Sequence, residues 1–409
     1  MPRDIKLMTL SLFLWGSGYG LYAYVFPLHI RSLGASPGQV GVVFSIMMVA
    51  LAASYIPGGV IADRFERKRT ILLSWFVGVP APLLYYFARD YKVAAVGAVL
   101  YSLSMIGYPA MNAYAAARSP TGKAGFTFGV VNAGFAAGMI GGPVLGGWIS
   151  GVLGTGNVFL ISFVLFAVAS GVIGLLSPQA PDRSGHVGGS AAGYADLLEH
   201  RQFLRFLATF SSMALAYYMI QPLIPQYLGD EVGASLALVG LAGSITSLGQ
   251  AVITVWLGRF ADRWGTIVAL GGNALVFAAS MLGLVGLHSP VLLGAALFLS
   301  GAFMAGQGVA LAGVGEVLGG AATGRAFALF NVAVATSSII GPYVGGVLYE
   351  RSPAMPFLVC AAALTVLSAV MFLGRRRPCV KEEVIPGGGR TGVDAVLSTD
   401  SNLGGTRGA

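Results

Sequence analysis

The sequence predicts an all-α membrane protein of twelve transmembrane helices, built as two six-helix bundles that repeat each other in parallel orientation. Three observations predict it. The chain is 409 residues long, 56% hydrophobic and only 10% charged. A soluble domain carries about 25% charged residues, so this chain lacks the polar surface to cover a water-facing globule. The apolar residues come in long uncharged blocks, and the two halves of the chain repeat at a fixed offset of 199 residues.

The blocks set the elements. Residues 7–30 and 93–117 each run for more than 20 residues without Asp, Glu, Lys or Arg. About 20 residues cross the hydrocarbon core as a helix, and in lipid only helices or closed barrels satisfy every backbone group. The blocks are continuously apolar rather than alternating, which selects helices. Spans are expected near 7–30, 38–62, 70–88, 93–117, 125–152, 156–177, 203–228, 235–260, 266–288, 291–315, 325–349 and 355–374. The first is too long for a signal-peptide apolar region and no small-residue cleavage site follows it, so it reads as a retained anchor. The sixth leads into a polar, Gly/Ser-rich linker (178–201) that turns amphipathic at 194–206. The bundles are thus expected over 1–177 and 202–374, with a disordered cytoplasmic tail over 375–409.

Net charge is +8, and its placement speaks for orientation rather than nucleic acid, for which no partner role is expected. With the N-terminus inside, only Arg31, Arg89, Lys92 and Arg351 among the 24 Lys and Arg residues fall outside. This positive-inside bias puts both termini in the cytoplasm of a plasma or inner membrane. Cys360 and Cys379 support neither a disulfide framework nor a metal site, and no cofactor is implied.

The repeat carries specific pairs. Gly34-Ala35-Ser36 returns as Gly233-Ala234-Ser235, and Gly59, Ala62, Asp63 and Arg64 return as Gly258, Ala261, Asp262 and Arg263. Gly142-Pro143 and Gly146-Gly147 return as Gly341-Pro342 and Gly345-Gly346. Six spans per half is an even number, so the copies share one orientation and are related by an axis along the membrane normal.

Gly59-Val60-Ile61-Ala62-Asp63-Arg64-Phe65-Glu66-Arg67-Lys68-Arg69 resembles the signature of the major facilitator superfamily between its second and third helices, with Glu66 where that family has Gly. Gly258 through Gly265 resembles its echo between helices eight and nine. The fifth span, with Gly129, Gly138, Gly142, Pro143, Gly146 and Gly147, resembles the fifth-helix signature associated with antiporters. The resemblance covers roughly 7–374 and implies that family's fold, alternating access and a monomer. It implies a gate at Gly59, Asp63, Arg64, Arg67, Gly258, Asp262 and Arg263, joined by Glu316 at the cytoplasmic end of the tenth span. A carboxylate there pairs with arginine or faces a helix N-terminus. Small residues four apart (Gly138, Gly142, Gly146) let backbones approach closely in lipid, and Pro143 removes a backbone donor. Gly341, Pro342 and Gly345 repeat them, but Ser337 stands where Gly138 aligns. Packing and a hinge are both open readings.

The resemblance places the substrate cavity between the halves, on spans one, four, seven and ten. Those spans hold no mid-membrane charge, and the fourth lacks the Arg that many proton-coupled antiporters of the family carry. The remaining polar groups are Tyr19, Tyr22, Tyr108, Asn112, Tyr217, Tyr218, Gln221 and Gln307. Aromatic walls with a few amides suit an apolar, neutral or cationic compound, and also a sugar; an interfacial tyrosine belt is the competing role. His29 is either an interfacial histidine or a proton-coupling group. An enzyme is not expected: Gly34-Ala35-Ser36-Pro37-Gly38 matches G-x-S-x-G by letters, without the strand-turn-helix context. The leading expectation is proton-linked efflux of a small amphipathic compound across the lipid bilayer. The alternatives are uptake or facilitated transport of a sugar or other metabolite, and, in another class, a channel or receptor.

Overall fold

The structure, a computed structural model, describes residues 1–120, 123–180, 197, 199–287, 289–318 and 324–373. The expected tail, most of the expected linker and the side chains of Asp63, Glu316 and Arg325 lie outside the described residues. Seventeen α-helices and one 3₁₀ turn build the twelve spans, and there is no strand among the described residues. Span one is α1 (Arg3–Ala23) with α2 (Phe26–Ser32), and span two is α3 (Pro37–Arg64). Span three is α4 (Arg67–Gly78) with α5 (Ala81–Phe87). Span four is α6 (Tyr91–Leu103), a 3₁₀ turn (Ser104–Gly107) and α7 (Tyr108–Arg118). Spans five and six are α8 (Ala124–Leu153) and α9 (Thr155–Gly174). The second half repeats this as α10 (Arg201–Ile220) with α11 (Ile224–Asp230), α12 (Leu236–Trp264) and α13 (Thr266–Gly286). It continues with α14 (Pro290–Ser300), α15 (Ala302–Val317), α16 (Gly324–Arg351) and α17 (Met355–Leu373).

Eleven of these spans are long and apolar enough to cross a membrane. The first carries Gly16-Ser17-Gly18-Tyr19-Gly20 in its middle, which lowers its apolarity. Spans one and seven both break near their ends. Pro27 and Pro225 sit in the first turn of α2 and α11, where a missing N–H costs nothing, and deny the helix before them its next hydrogen bond.

The repeated Gly-Ala-Ser now has a local cause. Gly34 and Gly233 hold φ of +93° and +68°, a region that only glycine enters cheaply. Ser36 and Ser235 then cap α3 and α12, accepting from Gln39 N and Leu238 N. At Ser36 the cap is a full capping box with Gln39. The serine thus starts a helix, which accounts for the G-x-S-x-G letters.

Buried side chains gather into two cores, one drawn from residues between Ile5 and Leu176, the other from residues between Leu197 and Met371. The outer faces stay apolar, with Val164 and Val168 in one half and Val252, Val255, Val366 and Val370 in the other. Lipid tails are the solvent for such faces, so helix association rests on close packing and hydrogen bonds instead.

Candidate transport site

The halves meet along two seams: α3 against α16, and α8 against α12. The repeat makes the seams reciprocal. Gly41 of α3 lies on the carbonyl of Pro342, and its repeat partner Gly240 of α12 lies on the carbonyl of Pro143. Gly147 faces Gly240, where an added Cβ would stand 2.8 Å from the Gly240 Cα. Gly346 faces Pro37 and Gly38, where a Cβ would come within 2.6 Å of the Pro37 carbonyl oxygen. These are backbone-on-backbone contacts, which cannot swing aside as a side chain does. Across one seam Ser244 Oγ accepts a hydrogen bond of 3.0 Å from Val144 N, next to Pro143. Its repeat partner, Ser45, has no partner for its hydroxyl among the described residues.

The other glycines of the motif pack inside each half. Gly138, Gly142 and Gly146 face Ser17, Gly20 and Leu21 of α1, and Gly341 and Gly345 face Tyr218 and Met219 of α10. At Gly138 a Cβ would lie 2.6 Å from the Phe13 carbonyl oxygen. Its partner Ser337 has room, and donates to the Ser211 carbonyl at 2.8 Å. One half therefore packs closer than the other at this layer.

Polar contacts close the same end. Arg31 and Asp230, partners in the 199-residue register, pair at 3.4 Å, and Tyr349 donates to the same Asp230 oxygen at 3.3 Å. Residues that a pseudo-two-fold relates meet only beside its axis. Glu350 accepts from Ser36 Oγ at 2.6 Å and from Gly38 N at 2.9 Å. Its carboxylate thus sits on the α3 N-terminus, where the helix dipole favours an anion.

The end that carries Asp63 and Asp262 differs. A Cβ at Gly59, Gly129 or Gly258 would meet nothing within 4 Å among the described residues. Arg64, Asp262 and Arg263 are exposed. Arg263 lies 5.5 Å over the Trp264 ring and Arg259 5.8 Å over Trp256. Arg67 is buried and works inside its own half. Its N–H donates to the Gln179 carbonyl at 3.0 Å, and its guanidinium reaches Gln179 Oε1 at 3.3 Å. Nearby, Asp4 accepts from Tyr114 at 2.8 Å and Ser177 at 3.3 Å, and pairs with Arg118 at 3.4 Å. Burial works to raise the Asp4 carboxyl, but these hydrogen bonds and the Arg118 charge outweigh it and hold its pKa below the usual value. Asp4, Tyr114 and Ser177 are far apart in the chain, and no sequence signal joins them.

Between the two ends, uncharged aromatic side chains gather in each half. Tyr19 stacks on Tyr101 (5.2 Å between centroids), and Tyr217 stacks on Phe303 (4.1 Å) and meets Tyr218 edge-on (5.3 Å). Gln307 donates to the Tyr218 hydroxyl at 3.4 Å. Tyr108 is 38% exposed and faces Tyr55 at 6.2 Å. Asn112 and Gln221 are half-buried. Tyr22 is 2% exposed and sits within the first core, ringed by Phe26, Tyr85, Phe159 and Phe166. The His29 ring packs on Phe159 at 4.7 Å and reaches the Tyr85 carbonyl at 3.1 Å. Tyr55, Tyr101 and Phe303 carry no signal in the sequence that marks them. Tyr24 presses its ring onto Gly243 of the opposite half.

Two six-helix halves in parallel repeat, joined by reciprocal seams, have the architecture of a membrane carrier. The sequence pattern of the Major Facilitator Superfamily matches residues 8–225 and again 206–397, and the chain belongs to that family. It is a multi-pass membrane transport protein. It is 26% identical to the multidrug resistance protein MdtG of Serratia proteamaculans, over 94% of this chain and 97% of that one. It is 25% identical to the multi-drug resistance efflux pump PmrA homolog of Lactococcus lactis, over 85% and 88% of the two chains. Among solved structures, the nucleoside transporter NupG superposes with a TM-score of 0.72 at 14% identity, over 91% of this chain and 99% of that one. A bacterial homolog of the human lysosomal transporter Spinster, in an inward-facing conformation, gives 0.71 at 15% identity, over 90% and 95%.

Proposed function

We propose that this protein exports a small amphipathic, drug-like compound by proton-linked secondary transport, with the halves 1–177 and 202–374 rocking against each other as a monomer. The observation that carries this is the set of uncharged aromatic and amide groups in the two halves, with seams at one end that nothing covalent holds. The names of the MdtG and PmrA relatives support export of drugs. The positive-inside bias puts the Asp63 and Asp262 end, and both termini, in the cytoplasm of the cell membrane. On that orientation the seams shut the outer end. Asp63, Arg64, Asp262, Arg263 and Glu316 then form the gate that closes when the outer seams part.

Asp230 and Glu350 act on this reading as locks of the outer end, since each makes a contact that spans the halves. His29 is held by groups of its own half.

The test is counterflow in proteoliposomes with labelled tetraphenylphosphonium, with and without an imposed pH gradient. Saturable counterflow that a proton gradient accelerates is expected. Movement blind to the gradient would remove the proton; movement of sugars alone would favour the metabolite carrier; ohmic current would point to a channel.

A further inference from the structure

The repeat keeps the seams but exchanges large and small residues inside the two halves. In the first half Trp15, Trp75 and Tyr101 are large, and their partners in the register are Ala214, Ala274 and Ser300. The second half reverses the exchange. Phe210, Phe277 and Phe303 are buried there, where the first half has Ser11, Gly78 and Ser104. Each half fills its core, and the arrangement in the first half leaves a cavity of about 170 Å³. Trp15, Trp75, Tyr101, Tyr108, Asn132 and Phe135 line it, and no lining residue carries a charge.

The cavity lies where span four leaves α geometry for the 3₁₀ turn Ser104–Gly107, a local break of the kind that marks functional positions in helices. Tyr108 and Asn132, both exposed, stand at its mouth. Trp15 stacks between Trp75 (4.3 Å) and Phe166 (4.1 Å), so the walls are braced and cannot collapse into the space. An apolar cavity of about 150 Å³ accepts benzene in another protein, so this one has room for one ring and not for a fused system.

We infer that this pocket moors a single uncharged aromatic ring of the transported compound, so that the first half grips the ligand and the second half supplies the movable wall. The inference rests on the export reading above and adds to it a chemical requirement. Ring edges and faces attract another ring or a neighbouring cation, whereas an anionic substituent finds no positive group in the lining.

The probes are benzyltrimethylammonium, its saturated analogue (cyclohexylmethyl)trimethylammonium, and benzenesulfonate. The protein, in detergent, carries Phe at Trp148, Trp256 and Trp264, three exposed positions, so that of its five tryptophans only Trp15 and Trp75 report. Tryptophan emission and saturation-transfer NMR of the ligand protons follow equilibrium binding. The phenyl cation should bind between about twofold and tenfold tighter than the saturated one, and benzenesulfonate should not compete. Asn132→Phe, an exposed change that plugs the mouth without touching the core, should remove that preference; Trp75→Leu should do so if it folds. Equal binding of the two cations, binding of none, or an Asn132→Phe protein that keeps the preference would overturn the pocket. Binding needs no gradient, so the two readings separate. Intact counterflow without ring preference sinks the pocket alone, and a moored ring without counterflow sinks export alone.

Discussion

Gly240→Ala is the sharpest perturbation of the seams, because the added methyl acts in only one state. Gly240 belongs to α12, and the atoms a Cβ would meet (the Pro143 carbonyl, and Gly147 Cα and N at 2.8 and 2.9 Å) all belong to α8 in the other half. When the seam is closed the methyl overlaps backbone, which costs about 1–3 kcal/mol for a tightly packed site. When the halves part at that end the overlap vanishes. The gain in helix propensity from Gly to Ala, up to about 1 kcal/mol, is common to both states and cancels. A bias of about 1–3 kcal/mol moves the equilibrium roughly 5- to 150-fold toward the state open at the Arg31 end. The reporter is Ser45→Cys in α3, in the companion seam, a near-isosteric change at a hydroxyl without a hydrogen-bond partner. Its labelling by a membrane-impermeant maleimide should accelerate by that factor, up to the limit set by full opening. Gly171→Ala in α9, whose methyl meets nothing within 4 Å, is the control and should stay within about twofold. If Gly240→Ala labels at the parent rate, the glycine contacts do not hold that end closed and the two-seam account fails.

Three further outcomes follow from the same geometry. Glu350→Gln keeps the shape of the contact with Ser36 and Gly38 but removes its charge. Because the site is exposed, the shift toward opening should be only about two- to fivefold, read by the same labelling, and smaller still in high salt. Asp4 has a depressed carboxyl pKa in the folded protein, so its stabilising contribution is complete above the ordinary carboxylate value of 3.8 and is lost as the pH falls through the depressed one. Melting temperature followed in detergent should therefore decline more steeply at acid pH for the parent than for Asp4→Asn, and identical slopes would refute the Asp4 account. Gly138→Ser, which copies the second half, should destabilise the first by about 1–3 kcal/mol through its overlap with Phe13 and Gly16. Ser337→Gly, the reverse exchange, loses one hydrogen bond and should cost about 1 kcal/mol or less beyond its change in helix propensity; comparable thermal shifts for the two would contradict the difference in packing.

What could be read in the sequence was whatever acts along one dimension. The length of an uncharged block decides whether it crosses the bilayer, because a helix rises by a fixed distance per residue. Gly34 and Ser36, echoed at Gly233 and Ser235, announce the start of a helix through their own φ and capping, needing no distant partner. The 199-residue register paired the seam residues before any contact was known. The same reading stopped where a side chain's role depends on which way its helix turns. Tyr22 and Tyr24 are two positions apart and chemically alike, yet one is buried in a core and the other presses on the opposite half, because side chains two apart at the end of a helix point to nearly opposite sides of its axis. Asp4 with Tyr114 and Ser177, and Glu350 with Ser36, meet across 110 to 314 positions of chain, and only packing brings them together. The sequence by itself determined the spans, the parallel repeat and the family they resemble. The tertiary structure alone decided which end the seams close, which glycines form seams between halves rather than within them, and that large residues of the first half line a pocket. Volume is a property of many helices at once, and no single stretch of sequence carries it.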